Sequence, residues 1–155
     1  MTAITLEAIE AAHKQVEAMV AAFKAQTAFP ITINAPELKP GEKFVGVILS
    51  ADGSRRHALI LLPGEIEDAN WKKASEWATR QGGELPDRVE GALLFATLQD
   101  EFKPELYWTR EQHAGLDDFA WCQYFNYGHQ NYGTLKDNQC RARAVRRCAD
   151  FGAVK

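Results

Sequence analysis

The sequence predicts an α+β fold: a main domain of two helices and several strands, preceded by an N-terminal amphipathic helix. Three observations lead there. Apolar residues recur at helical spacing in three blocks, residues 5–26, 69–80 and 88–99, whereas the runs at 44–50, 57–62 and beyond 106 read as strands. The runs at 44–50 and 57–62 flank an Asp-Gly hairpin signal. A sharp joint, Gly82-Gly83-Glu84-Leu85-Pro86-Asp87, links two of the helical blocks.

The first helix spans about Thr5 to Gln26 and is rich in Ala, Glu, Lys, Gln and Met, all good helix formers. Leu6, Ile9, His13, Val16, Val20 and Phe23 recur at intervals of three and four, a heptad seam with one polar position in its middle. Two expectations follow: the seam joins copies of the chain into a homo-oligomer, or it packs on its own domain. His13 reads as a register-setting polar group rather than a metal ligand, because nothing else in the segment could ligate with it. Residues 1–28 are accordingly assigned to this helix. Residues 29–43 form a Pro-rich connection, in which Ile31 and Ile33 suit a short edge strand. Residues 44–155 form the main domain.

Within that domain, Phe44–Ser50 and His57–Leu62 flank Ala51-Asp52-Gly53-Ser54, whose Asp-Gly pair signals a hairpin. Leu59 to Leu62 are apolar on both faces, as a central strand requires. Asp68 or Asn70 can cap a helix that buries Trp71, Ala74, Trp77 and Ala78. Two glycines release that helix, Pro86 extends Leu85, and Asp87 with Glu90 makes an Asp version of the capping box for the next helix. The spacing of that helix predicts a buried face of Val89, Ala92, Leu93 and Ala96, with Phe95 and Leu98 at its margin. Leu106–Thr109 and Phe119–Phe125 read as strands, residues 126–133 as a turn-rich segment, and residues 142–147 as one closing strand with alternating faces. On such a strand Arg141, Arg143 and Arg147 share a side, with Arg146 opposite.

The joint, Tyr107-Trp108-Thr109, Ala120-Trp121 with Phe125-Asn126-Tyr127-Gly128, and Arg143-Ala144-Val145-Arg146-Arg147 come in an order that resembles a bacterial and phage domain-of-unknown-function family with a C-type-lectin-like fold. The same order is similar to the C-terminal domain of bacterial collagen-like adhesins. The resemblance covers about residues 59–147; Gly83 and Glu84 stand where the family has Trp-Arg, and Asp87 where it has Thr. It implies two helices on a small twisted antiparallel sheet with long loops, and a recognition face at the end of the domain carrying residues 124–132. The composition of that stretch agrees: Tyr124, Asn126, Tyr127, His129, Asn131 and Tyr132 combine large aromatic area with adaptable hydrogen bonding, as in paratopes. These six are the expected ligand-binding residues, for a protein or glycan.

Hydrophobic residues make up 46% and charged residues 25%, and the net charge of −3 supplies no drive towards nucleic acid, which is disfavoured as a partner. The Arg141–Arg147 cluster is expected to form ion pairs with neighbouring acids. No 18-residue apolar run suggests a membrane span, and no basic-then-apolar leader suggests secretion, so the host cytoplasm or a virion is the expected location. Cys122, Cys140 and Cys148 lack metal-ligand spacing; one pairing among them is left open. Asp117-Asp118 and Asp137-Asn138 are calcium candidates by residue type only. No cofactor, no metal and no catalytic constellation are expected. The expected function is a non-enzymatic recognition module, phage- or prophage-encoded. The alternatives are an intracellular regulatory protein acting on a host factor and, third, an oxidase built on Cys140 or Cys148.

Overall fold

A computed structural model describes residues 4–27 and 35–149, without the side chains of residues 26, 27 and 132. The chain divides into two units, residues 1–33 and 34–155. The first contains helix α1, Leu6–Thr27, opened by Thr5, whose hydroxyl accepts from the Ala8 N–H at 3.3 Å. On the helix itself Leu6, Ile9, Val16, Val20 and Phe23 stand exposed, and His13 lies 3.5 Å from Glu17 one turn on. The edge strand expected around Ile31 and Ile33 lies outside the described residues.

The second unit is α+β. It holds β1 (Lys43–Leu49), β2 (Arg56–Leu61), β3 (Ile66–Ala69), α2 (Trp71–Arg80), α3 (Arg88–Leu98), β4 (Leu106–His113), β5 (Leu116–Tyr124), β6 (Gln130–Leu135), β7 (Cys140–Ala142) and β8 (Val145–Cys148). The strands form two sheets rather than the single antiparallel sheet expected. One has the order β1-β2-β8, the other β3-β7-β4-β5-β6 with β7 parallel to β4. The cause lies in the last strand. Instead of one run over 142–147, the chain pairs as β7 in the larger sheet, breaks at Arg143-Ala144, and pairs as β8 in the smaller.

The β1–β2 hairpin forms as its turn chemistry dictates. Asp52 Oδ1 accepts from the Ser50 and Ser54 hydroxyls at 2.6 and 2.7 Å, and these bonds hold its carboxyl down at about 2. β2 is the central strand of its sheet, and Ala58 to Leu61 are fully buried. Asn70 caps α2, accepting from the Lys73 N–H at 2.9 Å, whereas Asp68 lies in β3 with left-handed backbone at φ 46°. α2 ends in a Schellman motif, Gly82 N–H to Thr79 O and Gly83 N–H to Ala78 O. Gly83 is required for a second reason. A Cβ there would stand 2.4 Å from the Val145 carbonyl oxygen and 2.7 Å from Leu62 Cδ1. That closeness lets Glu84 and Val145 exchange both backbone hydrogen bonds, tying the joint to β8.

Asp87 and Glu90 form the expected capping box, with bonds of 2.9 and 2.8 Å. The face that α3 buries is not the expected one. Glu90, Gly91 and Leu94 are inside, Leu93, Phe95 and Leu98 are half-buried, and Val89, Ala92 and Ala96 are exposed. The Glu90 carboxylate, drawn inward by ionic partners, sets the rotation of the helix. Two apolar clusters result. Trp108, Cys122, Ala142, Leu85 and the α2 alanines Ala74 and Ala78 fill one, on one face of the larger sheet. Leu59, Leu61, Leu94, Tyr107, Phe125 and Val145 fill the other.

Gly83→Ala is expected to lower the urea-unfolding free energy by about 1–3 kcal/mol, since backbone rather than a flexible side chain must move. Gly115→Ala, at an open hairpin turn whose nearest contact is His113 Cε1 at 3.8 Å, should stay within about 0.5 kcal/mol of the parent.

Candidate functional site

The cleft that gathers the aromatic stretch is built from the end of the larger sheet that α2 does not cover. Along β4, Trp108 and Leu106 point to one face, and the paired register Trp108↔Cys122 and Leu106↔Tyr124 puts their partners beside them. The Trp108 row is sealed under α2. The next row, Cys140 on β7, Leu106 on β4 and Tyr124 on β5, floors a cleft of about 390 Å³, and Asn131 on β6, paired with Cys122, lines it as well. Pro104, Glu105, His129 and Gln139 form its rim.

The turn beyond β5 is braced from below. Phe125 is buried and stacks on Phe102 with ring centroids 3.8 Å apart. Gly128, at φ 79°, lies so close to Phe95 that a Cβ would stand 2.4 Å from Cε1, and its carbonyl accepts from Gln123 Nε2 at 2.9 Å. With the turn held, three rings cluster. Tyr124 meets His129 edge-on at 5.0 Å and Tyr127 edge-on at 5.7 Å, while Tyr127 and His129 lie nearly parallel at 6.4 Å. Tyr127 is 75% exposed, an unusual position for a large ring in a well-packed turn.

Of the six residues expected to bind ligand, Tyr124, His129 and Asn131 line the cleft and Tyr127 joins their ring cluster. Asn126 is exposed at the turn and does not line the cleft. The side chain of Tyr132 lies outside the described residues, on a strand, since residues 130–135 pair with β5 rather than forming a turn-rich loop. Sequence reasoning missed Leu106, Glu105, Gln139 and Cys140. Gln139 and Cys140 reach the cleft only because β7 inserts beside β4, a long-range pairing with no local signal.

Electrostatics in the cleft centre on two groups. Glu105 is held at the rim by Arg141, whose Nε donates to it at 2.7 Å. The neighbouring Cys122 thiol draws the pKa of Cys140 down, whereas burial pushes that of Cys122 up. All three cysteines are free.

The C-terminal arginines do not share a face. Arg141 pairs with Glu65, Glu67 and Glu105. Arg143 donates to the Glu101 and Leu62 carbonyls and lies over the Phe102 ring. Arg146 forks onto Glu42 at 2.8 and 2.7 Å, and Arg147 onto Glu90 at 2.6 Å through both Nε and Nη2. The switch between sheets at Arg143-Ala144 fans them apart, and each finds an acid or a carbonyl.

A second depression, about 570 Å³, gathers Asp117, Asp118 and Asp137 beside Trp71 and Lys136. The Lys136 ammonium bonds to Gln112 and the Asp117 carbonyl and lies 5.0 Å from the Trp71 ring centroid, so a cation already sits among these acids. Among the described residues no group of three or more His, Cys, Asp or Glu is placed to hold a metal ion. None of the described helices is long and apolar enough to cross a membrane.

Glu42 anchors the residues before β1 to β8. Its hydrogen bonds from Arg146, aided by the Lys39 N–H, outweigh its desolvation and take its pKa from an ordinary 4.5 to about 2. A depressed carboxylate stabilises the fold above its unfolded value and loses that contribution as pH falls through its folded value. Chemical denaturation between pH 5 and pH 2 should therefore show stability falling less steeply in Glu42→Gln than in the parent, and at pH 7 the variant should be weaker by about 2 kcal/mol. Parallel profiles would mean the pair contributes nothing.

No family model matches the chain, and no curated protein matches it.

Proposed function

We propose that the second unit is a C-type-lectin-like recognition module, phage- or prophage-encoded, which binds a protein or glycan without catalysing a reaction, in a host cytoplasm or a virion. The observation that carries the reading is the ring cluster of Tyr124, Tyr127 and His129, propped outward over a cleft with Asn131 and Gln139. Rigid rings present contact area at low entropic cost, and neighbouring amides supply directional bonds. The turn is held by the buried Phe125 and by Gly128 packed close against Phe95, so the rings are largely pre-organised, which lowers the cost of ordering on binding.

In this reading α1 assembles copies of the chain through Leu6, Ile9, His13, Val16, Val20 and Phe23. Linked weak sites then gain avidity with no new contact. The exposed seam supports it: Leu6, Ile9, Val16 and Val20 stand exposed along one helical stripe.

The test has two parts. Fluorescent full-length chain is screened against immobilised oligosaccharides and displayed peptides, and Tyr127→Ala and His129→Ala are each expected to weaken the selected ligand about tenfold, the range for a central aromatic contact. Glu76→Ala, exposed on α2, serves as the unaffected control. Equal affinities across all three would end the recognition reading for this cleft. Separately, light scattering should report a discrete oligomer for the full chain and a monomer for the Val16→Asp/Val20→Asp double variant; a parent that is already monomeric removes the assembly role.

A further inference from the structure

The chain places cations of its own over aromatic rings. The Arg88 guanidinium lies 3.6 Å from the Trp121 ring centroid, Lys136 Nζ 5.0 Å from that of Trp71, and the Arg143 guanidinium 5.3 Å from that of Phe102. A ring face attracts a cation because it carries the negative end of the ring's quadrupole. Among the described residues no cation lies over Tyr124, Tyr127 or His129. Tyr124 and His129 instead line a cleft whose one acidic or permanently charged lining residue, among those described, is Glu105. The charge of Glu105 is not cancelled at the rim. Arg141 holds it, but the same guanidinium serves Glu65 and Glu67. Arg141 and, more weakly, Lys103 draw the pKa of Glu67 down, so with Lys103 counted three carboxylates face two cations. The Glu105 side chain is 55% exposed and keeps acceptor capacity towards the cleft.

We propose that the occupant of the cleft is an arginine side chain of a partner protein, held between the Glu105 carboxylate and the Tyr124, Tyr127 and His129 rings. The inference rests on the recognition reading above and names its ligand. Charge complementarity carries it: an anionic ligand would meet Glu105 directly, and a neutral glycan would use the rings and amides but gain nothing from the uncancelled charge. Arginine suits the site better than lysine. Its guanidinium is planar and weakly hydrated, stacks on ring faces and forks onto a carboxylate. Leu106 on the floor offers apolar surface to the side-chain stem. Gln139, whose Nε2 is turned to the Asp137 carbonyl at 3.4 Å, keeps its amide oxygen to accept from N–H groups that Glu105 leaves over, as does Asn131.

The test follows the ring protons of Tyr124, Tyr127 and His129 by NMR in the full chain. It is titrated with an end-blocked Arg-Gly-Arg peptide, the matching Glu-Gly-Glu peptide, and maltohexaose. The arginine peptide should shift these resonances at concentrations about tenfold below any effect of the other two. Its affinity should fall about fivefold in Glu105→Gln and in Tyr127→Ala. Added salt should weaken it in the parent and less so in Glu105→Gln. Glu67→Gln, which removes the same charge from outside the cleft lining, should cost about twofold at most. Unchanged resonances away from the cleft show that each variant is folded. Equal response to the arginine and glutamate peptides, ring shifts independent of Glu105, or no ring shift with the arginine peptide overturns the inference. Maltohexaose moving the rings in that last case keeps the cleft as a recognition site with a different ligand. An arginine peptide held through Glu105 alone, with Tyr127→Ala and His129→Ala at parental affinity, removes the rings from binding and ends both readings.

Discussion

A single buried carboxylate organises the second unit. Glu90 is completely inaccessible, and its oxygens accept from the Asp87 N–H at 2.8 Å, His57 Nε2 at 2.9 Å and both Nε and Nη2 of Arg147 at 2.6 Å, with Arg55 at 3.8 Å. Burying such a charge alone would cost several kcal/mol, and burial does push its pKa upward. The bonds from Arg147, the Asp87 backbone and His57 outweigh that, and the group stays charged. The partners come from β2, β8 and the start of α3, so one carboxylate fixes where three elements meet. It also sets the rotation of α3, turning Val89 to solvent and Leu94 into the core.

The cleft lies where α2 gives way. The α2 alanines Ala74 and Ala78 share a buried cluster with Trp108, whereas no α2 residue lines the cleft above Leu106. Tyr107, one residue along, faces the other cluster, where its hydroxyl donates to Glu65 and accepts from the Lys103 N–H. The same strand thus supplies a core ring on one side and a cleft floor on the other. What separates core from site here is where the covering helix stops, and no residue type marks that boundary.

The local features were legible because their causes are local. The Asp-Gly hairpin, the glycine exit from α2 and the Asp87–Glu90 box each depend on residues within a few positions of one another. The α3 face was misread because periodicity counts apolar residues, and the inward side of that helix is led by a glutamate whose partners lie 33 and 57 residues away in the chain. The two-sheet arrangement was equally hidden. Arg143-Ala144 carries no breaker such as Pro or Gly, and the switch is imposed by Val145 pairing with Glu84 on one side and Leu61 on the other. For the candidate site, the aromatic half was visible as composition, whereas the β4 and β7 half was assembled by register alone.

The crossing of residues 140–148 between sheets bears on how the domain is made. β7 lies inside the larger sheet, between β3 and β4, and β8 closes the smaller one against β2, with Ala58 paired to Cys148. During synthesis, hairpins β1–β2 and β4–β5 can form as they emerge, but each leaves an edge waiting for a strand that comes last. Both sheets, and the charge neutralisation of Glu90 by Arg147, are therefore completed almost together, by one short segment. Whatever displaces that segment opens both sheets at once and bares two strand edges.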